Sequence, residues 1–288
     1  MRNKLLIIFG LLIAAAAITE GLLAVRTARK AVTEKIETHL IDKAADTAEI
    51  IDGRITAFFQ FLEGLTRTPQ IRDSTISFRD KTAYLTNEAK AHPILQELYI
   101  VDTEGVQHHP DGSRIEYKTD VWFTETMKGK KYTAEPYCDK TKNNQMFITF
   151  SLPVYDDNKN IVGVLGADID GLWLTDQIDD IVVGKTGYAF ILGATGNAVA
   201  HKNFDFVVNK FNGMETGKKD KTFESVAKLH ATAIYSTEPS VVLYSYKTTV
   251  SIASYAKMKS SGWTIIISAP VSEFMGTVDD LRNQMFII

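Results

Sequence analysis

A single cysteine, Cys138, stands in the 288 residues of the chain. An intramolecular disulfide is therefore impossible and a cysteine metal cluster is excluded. That leaves a cytosolic protein, or an exported bacterial domain stable through its core alone. Positive charge is also in short supply: the net charge is −3, and no Lys/Arg stripe interleaves with the aromatics, so nucleic acid is not an expected partner. Catalytic signatures are missing as well. The sequence has no Gly-x-Ser-x-Gly elbow and no His-Glu-x-x-His pair. His108-His109 is the only histidine cluster, and neighbours on a strand point to opposite faces, so no metal site is expected. Gly184-Lys185-Thr186 looks like the end of a phosphate loop, but Asp179 stands where the first glycine is needed, and a turn is the better reading. No enzyme and no cofactor are predicted.

What is present is an ordinary globular composition, 45% apolar and 23% charged, which excludes wholesale disorder. The length admits one large domain or two small modules on a shared core. Leu5 to Ile18 carries no charge, and Gly21 to Val25 continues it after Thr19-Glu20. A membrane span needs about 20 apolar residues, so Leu5 to Val25 qualifies if Glu20 lies near the headgroups. A cleaved signal peptide is the rival, given the basic start and the Ala14 to Ala17 run. An uncleaved anchor is favoured because the helical pattern runs on without a break. Arg2 and Lys4 argue for a cytoplasmic N-terminus, against Arg26, Arg29 and Lys30 on the other flank.

From Val32 to Leu65 apolar residues recur at steps of three or four: Ile36, Leu40, Ala44, Ala48, Ile51, Ile55, Phe58 and Leu62 lie between. That is a helical stripe, stopped by Pro69. The helix could carry a domain away from a membrane and serve as a homodimer seam; a long core helix within one domain explains the stripe equally well. Arg72 to Ala91 reads as a second, shorter helical region. After Pro93 the texture turns to strands, including Leu98 to Val101, Gln145 to Val154 and Ile161 to Ile169. Tyr99-Ile100-Val101-Asp102-Thr103-Glu104-Gly105 recurs as Phe190-Ile191-Leu192-Gly193-Ala194-Thr195-Gly196, which predicts two similar modules. The last residues, Leu281 to Ile288, read as the start of another apolar segment.

Aromatics and carboxylates gather between Tyr117 and Asp170. Trp122, Phe123 and Tyr137 accompany Asp120, Asp139 and Asp168. Core packing alone accounts for a Trp-Phe step, but Asp168 closes an apolar strand and is costly there unless it finds a donor. A ligand ammonium would be such a donor, and nearby aromatic faces would attract it further.

At this point the residues resemble a known family, the double Cache (dCache) sensor domains of bacterial chemoreceptors and sensor kinases, over about residues 20 to 280. The resemblance rests on the anchor, the long helix, the Trp-Phe step and four segments. These are Glu135-Pro136-Tyr137-Cys138-Asp139, Leu152-Pro153-Val154-Tyr155-Asp156, Gly163 to Ile169 and Gly184-Lys185-Thr186-Gly187-Tyr188-Ala189-Phe190. It implies an α+β fold in which a transmembrane helix leads into a long helix bearing two PAS-like antiparallel-sheet modules. The membrane-distal module binds ligand and the proximal one usually does not. In amino-acid-binding members an arginine two residues before the tryptophan grips the ligand carboxylate, and an aspartate matching Asp168 takes the amino group. Asp120 stands at the arginine's position here, so an amine or quaternary ammonium ligand ranks ahead of an amino acid, with Arg114 or Lys118 as substitute cations.

The expected layout is an anchor at 1–25, a stalk and dimerisation helix at 26–69, a distal module at 70–183, a proximal module at 184–275, and a second membrane segment beginning at 276–288. The expected ligand-binding residues are Tyr117, Asp120, Trp122, Phe123, Tyr137, Asp139 and Asp168. The expected function is extracytoplasmic sensing for a membrane receptor of the inner or plasma membrane, with a chemotaxis receptor as the default output. The alternatives are an amino-acid-sensing receptor or sensor kinase, and, in another class, an exported enzyme or binding protein with a cleaved signal peptide.

Overall fold

A computed structural model of the chain describes residues 2–139, 142 and 144–276. The expected second membrane segment therefore falls, apart from Gly276, outside the described residues. Helix α1, Arg2–Thr66, is continuous, about 100 Å long at 1.5 Å per residue. Its first part exposes Leu6, Ile7, Ile8, Phe9, Leu11, Leu12, Ile13, Ile18, Leu22 and Leu23, and by length and composition it can cross a membrane. Its second part does different work. Leu40, Ala44, Ala48, Ile51, Ile55, Leu62 and Leu65 are buried, and Phe59 rather than Phe58 takes the fully buried position between Ile55 and Leu62. From Leu40 onward the stripe belongs to the core of its own chain.

After α1 come α2, Pro69–Arg72, and α3, Phe78–Lys90. The Ser77 hydroxyl caps α3 by accepting the Asp80 amide at 3.2 Å. Strands β1, Leu95–Val101, β2, Val106–His108, and β3, Arg114–Glu116, follow. Helix α4, Val121–Thr126, precedes β4, Tyr132–Thr133, and β5, Tyr137–Asp139. The long strands β6, Gln145–Tyr155, and β7, Ile161–Asp170, complete the first sheet, of order β3-β2-β1-β7-β6-β4 with β5 also on β6.

Helix α5, Trp173–Asp176, leads to a second sheet made of β8, Val182–Val183, β9, Gly187–Leu192, β10, Ala198–His201, β11, Ser240–Tyr246, β12, Thr249–Lys257, and β13, Thr264–Pro270. Its order is β10-β9-β13-β12-β11, with β8 on β9. Helices α6, Phe204–Val208, α7, Gly213–Lys219, and α8, Glu224–Tyr235, lie between β10 and β11.

The two hydrophobic triplets noticed in the sequence are β1 and β9, and each leads into the same turn. The Asp102 amide donates to Val106 O and the Gly105 amide to Asp102 O; the Gly193 amide donates to Asn197 O and the Gly196 amide to Gly193 O. Gly105 and Gly196 have φ of +89° and +87°, the left-handed region that a side chain would strain. Strand alternation gives each sheet two faces. On the α1 side lie Leu98, Ile100, Leu165, Ala167 and Ile169 of the first sheet and Ile191, Ile265 and Ile267 of the second, in one continuous core. The opposite faces carry separate clusters, one around Tyr99, Tyr117 and Trp122 and one around Phe190, Leu192 and Ile266. The modules also touch directly. Glu135, in the motif before β5, accepts hydrogen bonds from the Thr195 amide at 3.0 Å, the Thr195 hydroxyl at 2.6 Å and the Asn197 side-chain amide at 3.3 Å.

Candidate functional site

The face of the first sheet turned away from α1 is where β7 presents Val164, Gly166 and Asp168. Ladder register puts Asp168 opposite Thr149 on one side and Glu97 on the other. Gly166 lies opposite Tyr99, and a Cβ there would come within 2.4 Å of the Tyr99 ring. The glycine thus lets the tyrosine lie across β7 and reach the carboxylate. Asp168 is 1% exposed. Its Oδ1 accepts the Thr149 hydroxyl at 2.6 Å and the Tyr99 hydroxyl at 3.1 Å. Because Thr149 gives its proton to Asp168, Tyr137 is the donor in its 2.8 Å contact with the Thr149 oxygen, and a relay runs Tyr137 to Thr149 to Asp168.

The remaining oxygen, Oδ2, is met by the ammonium of Lys142 at 3.0 Å. That ammonium also lies 2.5 Å from Glu97 Oε2, 5.7 Å from the Tyr99 ring centroid and 4.9 Å from that of Phe147. A cation between two carboxylates and two aromatic faces is strongly held. Burial pushes the Asp168 pKa up, with Lys142 pulling the other way. Burial works against the Lys142 ammonium too, yet Asp168 and Glu97 outweigh it and leave its pKa raised. Glu97 also accepts from Gln107 at 3.2 Å, and the Tyr117 hydroxyl donates to the Gln107 carbonyl at 3.2 Å. Burial first, and the surrounding carboxylates second, keep Tyr99, Tyr117 and Tyr137 protonated by raising their pKa values.

The wall is aromatic. Tyr117 stacks on Tyr99 at 5.6 Å between centroids and meets Trp122 at 5.0 Å. Phe123 packs edge-on behind Trp122 at 6.1 Å and is buried with it, so it backs the wall. Asp120 occupies the N-cap position of α4 without capping it; burial, then the charge of Asp139, raises its pKa. Asp120, Asp139 and Asp168 all act on Tyr137. A groove of about 520 Å³ opens on Asp120, Trp122 and Tyr137 and continues between the modules to Thr195 and Trp263. Lys131 lies along it, paired with Glu63 at 2.6 Å.

The seven residues singled out from sequence therefore share one neighbourhood, with Asp120, Trp122 and Tyr137 on the groove and Asp168 buried behind Tyr137 and Thr149, outside the groove's lining. Sequence reasoning missed Glu97, Gln107, Thr149 and Lys142 and read Tyr99 only as strand. A polar residue in an otherwise apolar strand was the available signal for Glu97 and Thr149. Lys142 gave no signal, and it supplies the cation at Asp168; Arg114 and Lys118, expected as substitutes for the missing arginine, are exposed. At Gly184-Lys185-Thr186 the amides of Lys185 and Thr186 donate to Glu273 at 2.5 and 3.2 Å, so a carboxylate of the chain holds the turn.

Residues 24–278 match the profile of the Cache domain family, dCache_1. The chain belongs to the double Cache family. This Cache protein is similar to the methyl-accepting chemotaxis protein McpG of Pseudomonas putida, at 23% identity over 198 residues. That match covers 65% of this chain and 29% of the receptor, so the chain spans less than a third of the relative's length. In fold it is similar to the ligand-binding domain of the Pseudomonas fluorescens chemoreceptor CtaA in complex with L-isoleucine. There the TM-score is 0.67 at 17% identity, over 87% of this chain and 99% of that one. The ligand-binding domain of Mlp24 with asparagine is also similar, with a TM-score of 0.59 at 17% identity, over 88% of this chain and 99% of that one.

Proposed function

We propose that this double Cache chain is the extracytoplasmic sensing part of a transmembrane chemoreceptor, and that its first, membrane-distal module binds a small ligand through an ammonium group seated on Asp168. One observation carries the reading: the chain's own ammonium, on Lys142, already occupies a seat built from Asp168, Glu97 and the faces of Tyr99 and Phe147. A ligand ammonium fits the same chemistry. In this reading Tyr117 and Trp122 form the wall with Phe123 behind it, Tyr137 reports to Asp168 through Thr149, and Asp120 and Asp139 draw cations to the mouth. With two acids at the mouth, an amine or quaternary ammonium compound is the first choice. An amino acid is the second, favoured by Lys142 itself: released from Asp168, it is a cation placed to take a ligand carboxylate in place of the missing arginine. CtaA with isoleucine and Mlp24 with asparagine support that second choice by likeness of fold.

The two ligand classes make opposite predictions for one variant. Titration calorimetry of the whole chain with Lys142→Met is expected to show about tenfold tighter amine binding, because the competitor is gone, and about tenfold weaker amino-acid binding, because the clamp is gone. Asp168→Asn is expected to weaken either ligand by tenfold or more. No binding of any amine or amino acid, or an unchanged affinity in Asp168→Asn, would refute the site.

Transmission follows from packing. The buried half of α1 spans both sheets, and the ligand shifts it only by binding one arrangement better than another. Homodimerisation through α1 belongs to the same proposal. With the stripe from Leu40 to Leu65 buried in the chain, the contact falls on the helix ahead of Leu40 and on exposed Ile50. Sedimentation of Ile50→Glu at unchanged self-association would remove Ile50 from that contact.

A further inference from the structure

The second module has a half-open cavity of its own, between its sheet and the segment from α6 to α8. The void measures about 50 Å³, and Phe190, His201, Phe206, Phe211, Phe223 and His230 are among its walls, with no charged side chain in the lining. Phe206 and Phe211 stack at 4.5 Å on its outer side, and the His201 ring lies 4.7 Å from Phe206.

Two imidazoles interrupt this largely apolar wall, beside the tyrosines Tyr188, Tyr244 and Tyr246, of which Tyr244 is hydrogen-bonded to the Ser268 hydroxyl at 2.8 Å. The His201 Nδ1 accepts the Asn203 amide at 2.9 Å, so the neutral ring carries its proton on Nε2, a donor with no protein partner among the described residues. The His230 Nδ1 is buried with no hydrogen-bond partner, and that ring packs so closely on Gly213 that a Cβ there would lie 2.5 Å from the nitrogen. Burial holds both imidazoles neutral, lowering each pKa to about 4. At His230 phenylalanine would serve an apolar core better, since a buried imidazole nitrogen without a partner is a standing cost.

We propose that this cavity is a second ligand site, taking a small uncharged organic molecule whose oxygen accepts the His201 Nε2–H. The lack of a counter-charge excludes carboxylates and zwitterions. Cations are excluded by the same desolvation cost despite the aromatic walls, and Lys202 already lies 3.7 Å over the Tyr188 ring. The volume corresponds to roughly four water-sized spheres, the size of a short ketone or alcohol. The modules would then read different chemistries, an ammonium in the first and a neutral oxygenated molecule in the second.

The test is a saturation-transfer NMR titration of 2-butanone against the whole chain in nanodiscs. Saturable binding is expected. His201→Phe should weaken it about tenfold by deleting one hydrogen bond, His201→Gln, which restores an N–H, should recover part of the loss, and Ala198→Leu should abolish binding by filling the void. Asp168→Ala should leave the 2-butanone affinity unchanged, which separates this site from the distal one. Absence of saturable binding, equal affinity in His201→Phe and Ala198→Leu, loss of binding in Asp168→Ala, or tetramethylammonium displacing 2-butanone would each overturn the proposal. Thermal melting of every variant confirms that it is folded.

Discussion

In the first module β7 places Asp168 opposite Glu97 and Thr149; in the second, the strand at the same place in the sheet, β13, places Ser268 opposite Tyr188 and Ala253. Two residues earlier the contrast continues. Gly166 faces Tyr99, while Ile266 faces Phe190. One topology therefore carries two interiors. Where β7 has a glycine, an aromatic ring crosses it and its hydroxyl reaches a charge; where β13 has isoleucine, the same space is filled with hydrocarbon and Ser268 needs only the Tyr244 hydroxyl, 2.8 Å away. The buried charge of the first module is stabilised by a lysine from outside the sheet; the second has no charge at the matching strand position, and its Lys202 lies over the Tyr188 ring instead. The difference between the two interiors is written on the central strand of each sheet, at Gly166 and Asp168 against Ile266 and Ser268.

The comparison can be broken most forcefully by Ser268→Asp. A carboxylate there gains no ammonium, and the cost of an unpaired buried charge is expected to be about 3–5 kcal/mol, measured by chemical denaturation. A loss under about 1 kcal/mol would show that the fold, and not Lys142, makes a carboxylate tolerable.

Acid should separate the modules next. His201 and His230 have pKa values lowered to about 4, against about 6.5 for a free histidine. A base with a depressed folded value contributes stability that is complete above the unfolded value and is lost as pH falls from 6.5 toward 4. Between pH 6.5 and pH 5 the loss is about 2 kcal/mol for each histidine. Asp168 has the opposite sign: its raised folded value means acidification favours the folded first module. Hydrogen exchange at pH 7 and pH 5 should show faster exchange in β9 and β13 relative to β1 and β7, and a uniform response would refute the difference.

Gly166→Ile transplants the second interior into the first and is expected to cost about 2 kcal/mol through collision with Tyr99. Adding Tyr99→Ala should relieve part of that loss in thermal melting. The smallest effect is expected at the junction. Glu135→Ala removes three hydrogen bonds to the second module from a solvent-accessible position, for about 1 kcal/mol, read as faster exchange of the Thr195 amide. No change there would mean that α1 alone joins the modules.

Much of this architecture was legible because its causes are local. The three- and four-residue steps of Leu40, Ala44, Ala48, Ile51, Ile55 and Leu62 describe a helix with one buried face, and the structure buries that face. The repeat of Tyr99 to Gly105 at Phe190 to Gly196 announced two sheets of one kind, since the same turn needs the same glycine. Asp168 stood out because an acid at the end of an apolar strand demands a partner. The partner was not legible. Lys142 lies 26 residues from Asp168 on another part of the chain, and only closure of the sheet brings them within 3.0 Å. The second cavity was equally hidden, since His201, Phe211 and His230 share no spacing that marks a pocket.

The sequence by itself determined the periodicities, the turns and the side of each strand on which a residue lies, because these follow from backbone geometry within a few residues. Tertiary structure decided which charges meet. It set the Lys142 ammonium on Asp168, spent Glu135 on the neighbouring module and left two histidines neutral among phenylalanines, because each of these depends on elements that are distant in the chain and adjacent only when folded.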